Sequence, residues 1–563
     1  MSAHPVFALS DRFVDDYAAL WPIRATYEGV PGHDHEWGDL GPSGVQARQD
    51  MLVRYRRELA ALPPATAADD VLAARVLTEL VEQHLEVFEH DDHLRDVGHM
   101  ASTVPDMRDV LDVQSIATAE AQEALIERLR GMPDALAQWR SLLELALDKG
   151  VTVAARQVHS VIDQLRHAPG PEGAFTRRAH MVVTAAPQLR DAADAALTGV
   201  QQACEATAAF LVQRYLPQGD DTDGVGLERY LRAARHVLGT SLDPHEAYAW
   251  GWEHLAGLLG RAEAVAARID PDANLRAVVQ RLKTAPQFAA PSTTAFVELM
   301  RRRQREALEA LAGTHFDVPD QIRDVEVRLA PPGTPLGALY MAPSEDFTRP
   351  GSIWWALGER ETVPLFEEVS TAYHEGFPGH HLQIGIQRAI GDRLSRAHRL
   401  LVWNVAYGEG WALYAETLMD ELGYFEEPHY ELGYLTSSIL RALRVVIDLG
   451  LHLDLPIPDH SPVDPGGRWS YGLAVETLEQ LTGLDRAYAE SEITRYLGWP
   501  AQAIGYALGQ RAIMELREQR RLRDGSDFNL AAFHADVLGS GPVRLDHLRS
   551  LVLGESTGRD AGI

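Results

Sequence analysis

Four residues near the middle of the chain carry side chains that bind metals or move protons. His374 and Glu375 are adjacent, and His380 and His381 follow after a short interruption. The pattern H-E-x-x-H, with two histidines one helical turn apart, holds zinc in metalloproteases and supplies the glutamate as general base. Here the fourth position after His374 is Pro378, which cannot bind a metal. The chemistry indicated is metal-assisted hydrolysis, provided that the chain departs from a regular helix between the histidines.

The interruption decides which second histidine can reach the same ion. In an unbroken helix His381 would share a face with His374 but lie roughly 10 Å further along the axis. Zinc–nitrogen bonds of about 2.0–2.1 Å require closer convergence. Pro378 and Gly379 both disturb helical backbone angles. If two residues loop out, His380 becomes the second ligand, and if three loop out, His381 does. We favour His380 and keep His381 as the alternative.

A third ligand is expected from residues 407–416, which are typical of the next long helix. Glu409 and Glu416 are seven residues apart and therefore share one face of that helix. Glu409 could bind the ion, and Glu416 could orient a ligand histidine from behind. Three protein ligands leave one position for water, from which Glu375 would accept a proton. Two histidines and one glutamate suit zinc, so the sequence predicts one Zn²⁺ ion per chain.

The elements around these residues are mostly helical. Ala- and Leu-rich segments with helical spacing predict helices at 51–62, 119–147, 187–216 and 293–312. Three short β-prone runs at 325–329, 338–341 and 352–357 predict a small antiparallel sheet just before the helix that carries His374. Its edge could bind an extended peptide, or the sheet could be a structural flap.

We therefore expect a mainly α fold, a large helical body that forms a single continuous domain over 1–563. Its expected regions are an N-terminal helical region (residues 1–320), the small sheet (residues 321–360) and a C-terminal helical region (residues 361–563) that carries the metal site.

The composition bounds the class of protein. Lys and Arg number 52 against 81 Asp and Glu, a formal net charge of −29, which argues against nucleic-acid and membrane partners. The sequence contains no run of about 18 apolar residues, the length needed to span a bilayer. Residues 1–17 lack the pattern of a signal peptide. Cys204 is the one cysteine, so an internal disulfide is excluded. We expect a cytoplasmic protein, and the sequence leaves its oligomeric state open.

Two other features are interpreted as structural. Cys204 lies among alanines and glutamines on a predicted helix, which is typical of a small core residue. The run 84–99 is rich in His, Asp and Glu, and His90 and His93 have helical spacing. Because the run fixes no third ligand, we interpret it as a solvated helix face.

An ordered set of segments resembles the bacterial domain-of-unknown-function family 885 (DUF885). The set consists of 374–383, 409–416, 441–452, Arg495 with Tyr496, Pro500, Gln502, Tyr506, Gly509, and Phe533 with His534. The helical fold of that family resembles the Taq-type zinc metallocarboxypeptidases, which are gluzincin-like. The resemblance implies a zinc metallopeptidase-like body and site, a cleft between helical halves, and a Pro-Gly insertion that is normal for the family.

The resemblance also directs attention to residues that would bind substrate. Hydrolysis creates an oxyanion that needs a hydrogen-bond donor, and we expect Tyr506 to provide it, with Tyr496 and His452 as alternatives. Arg441, Arg444 and Arg495 could bind the terminal carboxylate of a peptide. The predicted substrate-binding set is Arg495, Arg441 and Tyr496.

Three functions are compatible with these residues. The leading prediction is a zinc-dependent peptidase, carboxypeptidase- or oligopeptidase-like, acting on short peptides or similar amides. The second is a zinc-dependent amidohydrolase on a non-peptide or conjugate amide. The third is a non-catalytic helical scaffold that binds peptides or partners, and the presence of His374, Glu375 and Glu409 together argues against it.

Overall fold

The structure, a computed structural model, describes residues 4–330 and 337–554. It is mainly α, as the sequence predicts. The helices are α1 (Pro5–Leu20), α2 (Pro22–Glu28), α3 (Pro42–Ala60), α4 (Ala68–Glu89), α5 (Thr103–Val113), α6 (Ala119–Asp148), α7 (Ala155–His167), α8 (Ala174–Ala185), α9 (Arg190–Phe210), α10 (Leu227–Leu238), α11 (Pro244–Ile269), α12 (Leu275–Thr284), α13 (Thr293–Leu311), α14 (Glu368–Glu375), α15 (His380–Ala389), α16 (Arg396–Leu401), α17 (Val405–Glu421), α18 (Pro428–Leu453), α19 (Tyr471–Thr482), α20 (Arg486–Gly498), α21 (Gly505–Asp524), α22 (Leu530–Gly539) and α23 (Leu545–Leu553). The strands are β1 (Ala289–Ala290), β2 (Glu326–Leu329), β3 (Gly337–Met341), β4 (Ser352–Ala356) and β5 (Val363–Pro364).

The chain divides into two compact units. The first is Met1–Asp223 with Asp392–Val402, and the second is Gly224–Gly391 with Trp403–Ile563. Helices α10–α13, which lie inside the predicted N-terminal helical region, belong to the second unit because α11 packs along α18. The single continuous domain stays a prediction. In the described residues no helix combines the length and apolar character that crossing a bilayer requires.

The first unit has a core built on helix α6. Leu125, Leu129 and Trp139 recur on one face of α6 and are buried, the spacing that an amphipathic helix requires. Helix α9 packs against this face with small residues that include Ala196 and Cys204. Burial raises the pKa of the Cys204 thiol to about 12. Cys204 is therefore a core residue, as the sequence predicts.

The second unit depends on two close helix pairs, in which glycines allow the backbones to approach. Helix α17 crosses α21 at Gly410, where an added Cβ would lie 2.5 Å from the carbonyl carbon of Gly509. Helix α11 meets α18 at Gly251, where a Cβ would lie 2.9 Å from a methyl group of Val446. These pairs fix the positions of α17 and α18, which both contribute to the site described below.

The predicted small sheet exists, but its strand directions differ in part from the expectation. Strands β2, β3 and β4 form a sheet in the order β2-β4-β3, in which β3 runs antiparallel to β4 and β2 runs parallel to it. The prediction of an antiparallel sheet was therefore wrong for β2. Because β3 runs opposite to β4 while β2 runs with it, the two outer strands of this sheet have opposite directions. Strands β1 and β5 form a separate antiparallel pair.

Candidate metal centre

The helix that carries His374 ends directly after Glu375, and the next helix begins at His380. The side chain of Gln304, from α13, spans this break. Its Nε2 donates to the carbonyl oxygen of Ala372 (2.8 Å), and its Oε1 accepts from the amide of Phe377 (2.6 Å). The bond to the Phe377 amide satisfies a donor that the interrupted helix leaves open, and the bond to Ala372 adds to the one that this oxygen already accepts from the Gly376 amide.

Two glycines leave room for this tight path. A Cβ on Gly376 would lie 2.2 Å from the Gln304 side-chain oxygen, and one on Gly379 would lie 2.0 Å from the backbone oxygen of His374. The indole of Trp411, on α17, donates to the oxygen of Pro378 (2.9 Å) and attaches the loop to the helix that carries Glu409. The break therefore brings His380 back towards His374.

Three potential ligand atoms converge at this point. Nε2 of His374 lies 3.4 Å from Oε2 of Glu409, and Nε2 of His380 lies 3.5 Å from the same oxygen. The ligand atoms of the three residues all lie within 4.8 Å of one another. The structure thus brings together His374, His380 and Glu409, the three residues that the sequence predicts as ligands.

The spacing of these atoms fits a zinc ion. Donor atoms at the corners of a tetrahedron with bonds of about 2.0–2.1 Å lie about 3.3 Å apart. Oε2 of Glu409 is buried and has no hydrogen-bond partner, which is costly for a carboxylate oxygen unless a cation binds it. The side chain of Glu409 keeps 14% of its surface exposed, although Oε2 itself is buried. The donor set, its spacing and this oxygen all fit a divalent metal.

The orientation of His374 is fixed from behind the site. Its Nδ1 lies 2.8 Å from Oε1 of Glu416, and the Ser370 hydroxyl donates to the other oxygen of that carboxylate. A hydrogen bond at Nδ1 leaves the lone pair of Nε2 directed at Glu409. This is the arrangement by which carboxylates orient metal-binding histidines.

The electrostatics favour a positive charge at the centre. Burial alone would lower the pKa of His374, but Glu409 and Glu416 raise it to about 10. Burial acts to raise the pKa of Glu409, yet His374 and His380 hold it far below its usual range. The position therefore attracts a cation, either a proton on His374 or a metal ion.

Glu375 lies beside His374, His380 and Glu409 but does not take part in the contacts among them. Across the described residues no hydrogen bond or ion pair engages its carboxylate. Burial raises its pKa, while His374 and His380 oppose the shift and Glu409 adds to it. A carboxylate beside the ligand cluster, without a protein partner and with a raised pKa, is suited to accept a proton from water.

Tyr506 is close enough to the cluster for Glu409 to influence it. Burial, followed by Glu409, raises the pKa of the Tyr506 hydroxyl, which therefore stays protonated and able to donate. Its ring lies against Arg444, whose guanidinium carbon is 4.5 Å from the ring centre. Arg444 is itself held by Glu492, at 2.8 Å.

The predicted substrate-binding residues differ in what they contact. Tyr496 is 1% exposed and its hydroxyl donates to Glu492 (2.6 Å), so its role in substrate binding stays a prediction. Arg495 also pairs with Glu492 (2.8 Å) and donates to Gln502 (3.2 Å). Tyr496 and Arg495 both bind the Glu492 carboxylate and form a network around it.

Arg441 differs from the other arginines. It donates to the backbone and hydroxyl of Ser437, and its Nε is buried without a hydrogen-bond partner. No acidic group among the described residues forms an ion pair with it, yet it lies near enough to lower the pKa of Glu375 and Glu416. Arg441 thus lies close to Glu375, Glu416 and Glu367 without a contact ion pair to any of them in the described residues.

Two alternative candidates turn away from the cluster. His381 has Nε2 bonded to the backbone oxygen of Ile322 (2.8 Å) and Nδ1 3.0 Å from the Tyr340 hydroxyl. Both ring nitrogens are engaged, which removes His381 as the alternative ligand. His452 contacts the oxygen of Tyr496 (3.1 Å) through Nε2 and accepts from the amide of Val225 (3.3 Å). His452 is therefore part of the packing and not an oxyanion donor.

Comparison with known proteins identifies the family. A family profile described as "Bacterial protein of unknown function (DUF885)" matches residues 22–552. The chain belongs to this family. No curated protein matches it.

Two solved structures resemble this DUF885 chain. One is the crystal structure of a "putative lipoprotein" from Colwellia psychrerythraea, with a TM-score of 0.85, 22% identity and 98% of each chain covered. The other is a "putative lipoprotein of unknown function" from Shewanella oneidensis, with a TM-score of 0.71 and 17% identity over 97% of this chain and 99% of that chain. At these identities the likeness shows the fold alone.

Three side chains that shape the site of this DUF885 protein were not predicted. Gln304 precedes the helix break by about seventy residues, and Ser370 lies in α14 outside any motif. Trp411 lies within the recognised segment 409–416, but no role was predicted for it. Gln304 is 3% exposed in the middle of α13. A buried polar residue on the apolar face of a helix was the one available signal, and it does not identify the partner.

Proposed function

We propose that this DUF885 protein is a zinc-dependent hydrolase, a peptidase of carboxypeptidase or oligopeptidase type. The convergence of His374, His380 and Glu409 on one point is the observation that carries the proposal. The likeness to Taq-type metallocarboxypeptidases belongs to the proposal too. It rests on the sequence motifs and on the mainly helical body with a small sheet before the metal-binding helix.

The protein residues would have separate tasks. A divalent ion held by His374, His380 and Glu409 would supply a Lewis acid that acidifies water and polarises a carbonyl group. Glu375 lies beside these ligands with no protein partner and would take the proton from the attacking water. The same carboxyl group would then pass the proton to the leaving amine, since a general base returns as a general acid.

Tyr506 would stabilise the negative charge that develops on the carbonyl oxygen. Its hydroxyl stays protonated because burial and Glu409 raise its pKa. The Arg444 guanidinium lies against its ring and limits its movement. A donor that is positioned before the reaction costs no reorganisation when the charge appears.

Arg441 supports a carboxypeptidase-like specificity. A free peptide carboxylate can accept two parallel hydrogen bonds from a guanidinium group, and Arg441 has no acidic partner in the described chain. Arg444 and Arg495 are both neutralised by Glu492. A substrate with a terminal carboxylate would give Arg441 the counter-charge that it lacks.

Location and partners belong to the proposal as well. The net charge of −29 and the single cysteine are the reasons to propose a cytoplasmic enzyme that acts on short peptides without nucleic-acid or membrane partners. The description "putative lipoprotein" is said of the Colwellia and Shewanella proteins. An antibody against the chain, applied to fractionated cells, would decide the location.

A peptide-library digest tests the proposed activity. The zinc-loaded wild type is compared with Glu375→Gln, which keeps the side-chain shape but removes the base. We expect the wild type to cleave peptides and the variant to lose about 10²- to 10⁴-fold in rate while retaining its zinc. If zinc-loaded, folded wild type cleaves no peptide, the peptidase proposal fails.

The second half of the experiment addresses Arg441. Each cleaved peptide is offered with a free and with an amidated carboxyl terminus. We expect the free form to be preferred by the wild type and the preference to vanish in Arg441→Met. The control is Arg268→Met, since Arg268 is an exposed arginine paired with Glu431. Equal cleavage of both forms by the wild type would exclude recognition of the carboxylate.

A further inference from the structure

The first unit contains a cavity that is unconnected with the metal-ligand motif. It has a volume of about 180 Å³ and lies between α3, α4 and α6 and the turn that follows α1. One wall is apolar, formed by Leu40, Val45 and Leu142, and Trp21 adds an aromatic surface. Polar side chains, Arg48 and Asp96 among them, also line the cavity. His93 of the histidine-rich run 84–99 also lines it, so a portion of that run faces a cavity.

Arg48 reaches this cavity without a counter-ion. Its guanidinium lies over the ring of Trp21, 5.4 Å from the centre, and donates to the backbone oxygen of Asp39 (2.9 Å). Among the described residues these are its close partners, so most of its five N–H donors face no protein acceptor. Burial lowers its pKa against the raising effect of Asp96 and Asp39, the sign of a cation that lacks a partner.

Asp96 is the complementary group. Its carboxylate accepts from the Thr103 amide (2.8 Å) and hydroxyl and from the Trp139 indole (2.9 Å). These three bonds hold the carboxylate in place and leave about one of its four lone-pair sites open, on Oδ1. No nitrogen of Arg48 lies within ion-pair distance of it, and burial raises its pKa despite these donors. A buried carboxylate of this kind is stabilised by a nearby positive charge.

The two charges line one cavity and do not touch. We propose that this cavity binds a free apolar α-amino acid, with the ligand carboxylate on Arg48, its ammonium group on Asp96, and its side chain against Leu40, Val45 and Leu142. A zwitterion supplies the missing counter-charge to both protein groups at once.

The size of the cavity sets the size of the ligand. An apolar cavity of about 150 Å³ holds benzene, so about 180 Å³ accommodates a molecule the size of leucine. The apolar wall excludes amino acids with charged side chains, because a buried unpaired charge is costly.

Calorimetric titration with a matched ligand series tests the site. The ligands are leucine, 4-methylpentanoate, which lacks the amino group, and 3-methylbutylamine, which lacks the carboxylate. EDTA is present throughout, so that binding to a metal ion does not contribute. We expect leucine to bind at least tenfold more tightly than either truncated compound. Because Asp96 also holds Thr103 and Trp139, its role is tested through the ligand and not by substitution.

Arg48→Gln localises the binding. We expect the variant to lose at least tenfold in affinity for leucine while 3-methylbutylamine is unaffected. The control is Arg56→Gln on the same helix, where Arg56 is exposed and lies 3.8 Å from Glu82. Its affinity for leucine should equal that of the wild type.

Three outcomes would overturn the inference. The first is that leucine, isoleucine, valine and methionine do not bind at millimolar concentration. The second is that Arg48→Gln and the wild type bind leucine with equal affinity. The third is that the wild type binds 4-methylpentanoate and leucine with equal affinity. The first would indicate a water-filled polar cavity, the second a different site, and the third a simple anion site. None depends on whether the chain hydrolyses peptides.

Discussion

Nδ1 of His374 and Oε1 of Glu416 lie 2.8 Å apart, and both residues are buried. The bond fixes which imidazole nitrogen faces Glu409 and increases the basicity of His374. The Ser370 hydroxyl in turn holds Glu416. The affinity of this site for a metal should therefore depend on a residue that does not touch the ion.

We expect Glu416→Gln to weaken zinc binding about 10- to 100-fold, because the amide accepts from His374 without the negative charge. Competition against a chromophoric chelator measures the affinity. Glu421→Gln, on the same helix but in a surface pair with Arg517, is the matched control and should bind as the wild type does. An unchanged affinity in Glu416→Gln would show that His374 is not oriented in this way.

Removing the hydroxyl of Tyr506 should slow hydrolysis without weakening substrate binding. Tyr506→Phe keeps the ring that stacks on Arg444 and removes the proposed oxyanion donor. We expect kcat to fall about 10²-fold, with KM and zinc content unchanged. Steady-state kinetics on the best peptide from the library measure both constants. A rise in KM at constant kcat would instead assign the hydroxyl to ground-state binding.

Asp448 should make stability depend on pH. It is fully buried, accepts from Tyr230 (2.5 Å) and from the amide of Ala501 (3.1 Å), and burial raises its pKa to about 7. A carboxyl group whose pKa is raised in the folded state stabilises the fold below its unfolded pKa. That contribution is lost as the pH rises through about 7.

Asp448→Asn should remove this dependence, because the neutral amide can still accept both hydrogen bonds. At about 1.4 kcal/mol per pKa unit, the variant should gain a few kcal/mol over the wild type at alkaline pH, and the gain should vanish in mild acid. Urea denaturation of the wild type and the variant at several pH values measures the free energy of unfolding of each protein. Subtracting one from the other cancels the titration of the groups that the two proteins share. A difference that does not change with pH would mean that folding leaves the pKa of Asp448 unchanged.

Much of the fold and of the ligand cluster follows from local sequence. Helices α6 and α13 match their apolar periodicity closely, and α3 ends before Pro63. Pro378 and Gly379 predict a break, but the sequence left its length open between His380 and His381. In the structure the ring centres of His374 and His380 lie 4.8 Å apart. The positions of the strands followed from composition. The direction of β2 did not, because composition does not show which strand it pairs with.

The contacts made over long sequence distances were not predictable. Glu492 neutralises Arg444 and Arg495 and binds Tyr496, and nothing in their spacing shows which arginine stays without a carboxylate. Arg441 is distinguished by having no contact ion pair among the described residues, although Glu375 and Glu416 lie near enough for it to lower their pKa values. The cavity beside Arg48 likewise forms from helices that are distant in sequence, so the histidine-rich run was interpreted as a solvated face.

The central claim is that His374, His380 and Glu409 hold a metal, and elemental analysis of bound metal per chain tests it most directly. The protein is purified without chelator and dialysed against trace zinc, together with His374→Ala, Glu409→Ala and His381→Asn. We predict one zinc ion per chain in the wild type and in His381→Asn, and its loss from the other two variants. Folded wild type without zinc, or zinc retained in His374→Ala and Glu409→Ala, would contradict the account.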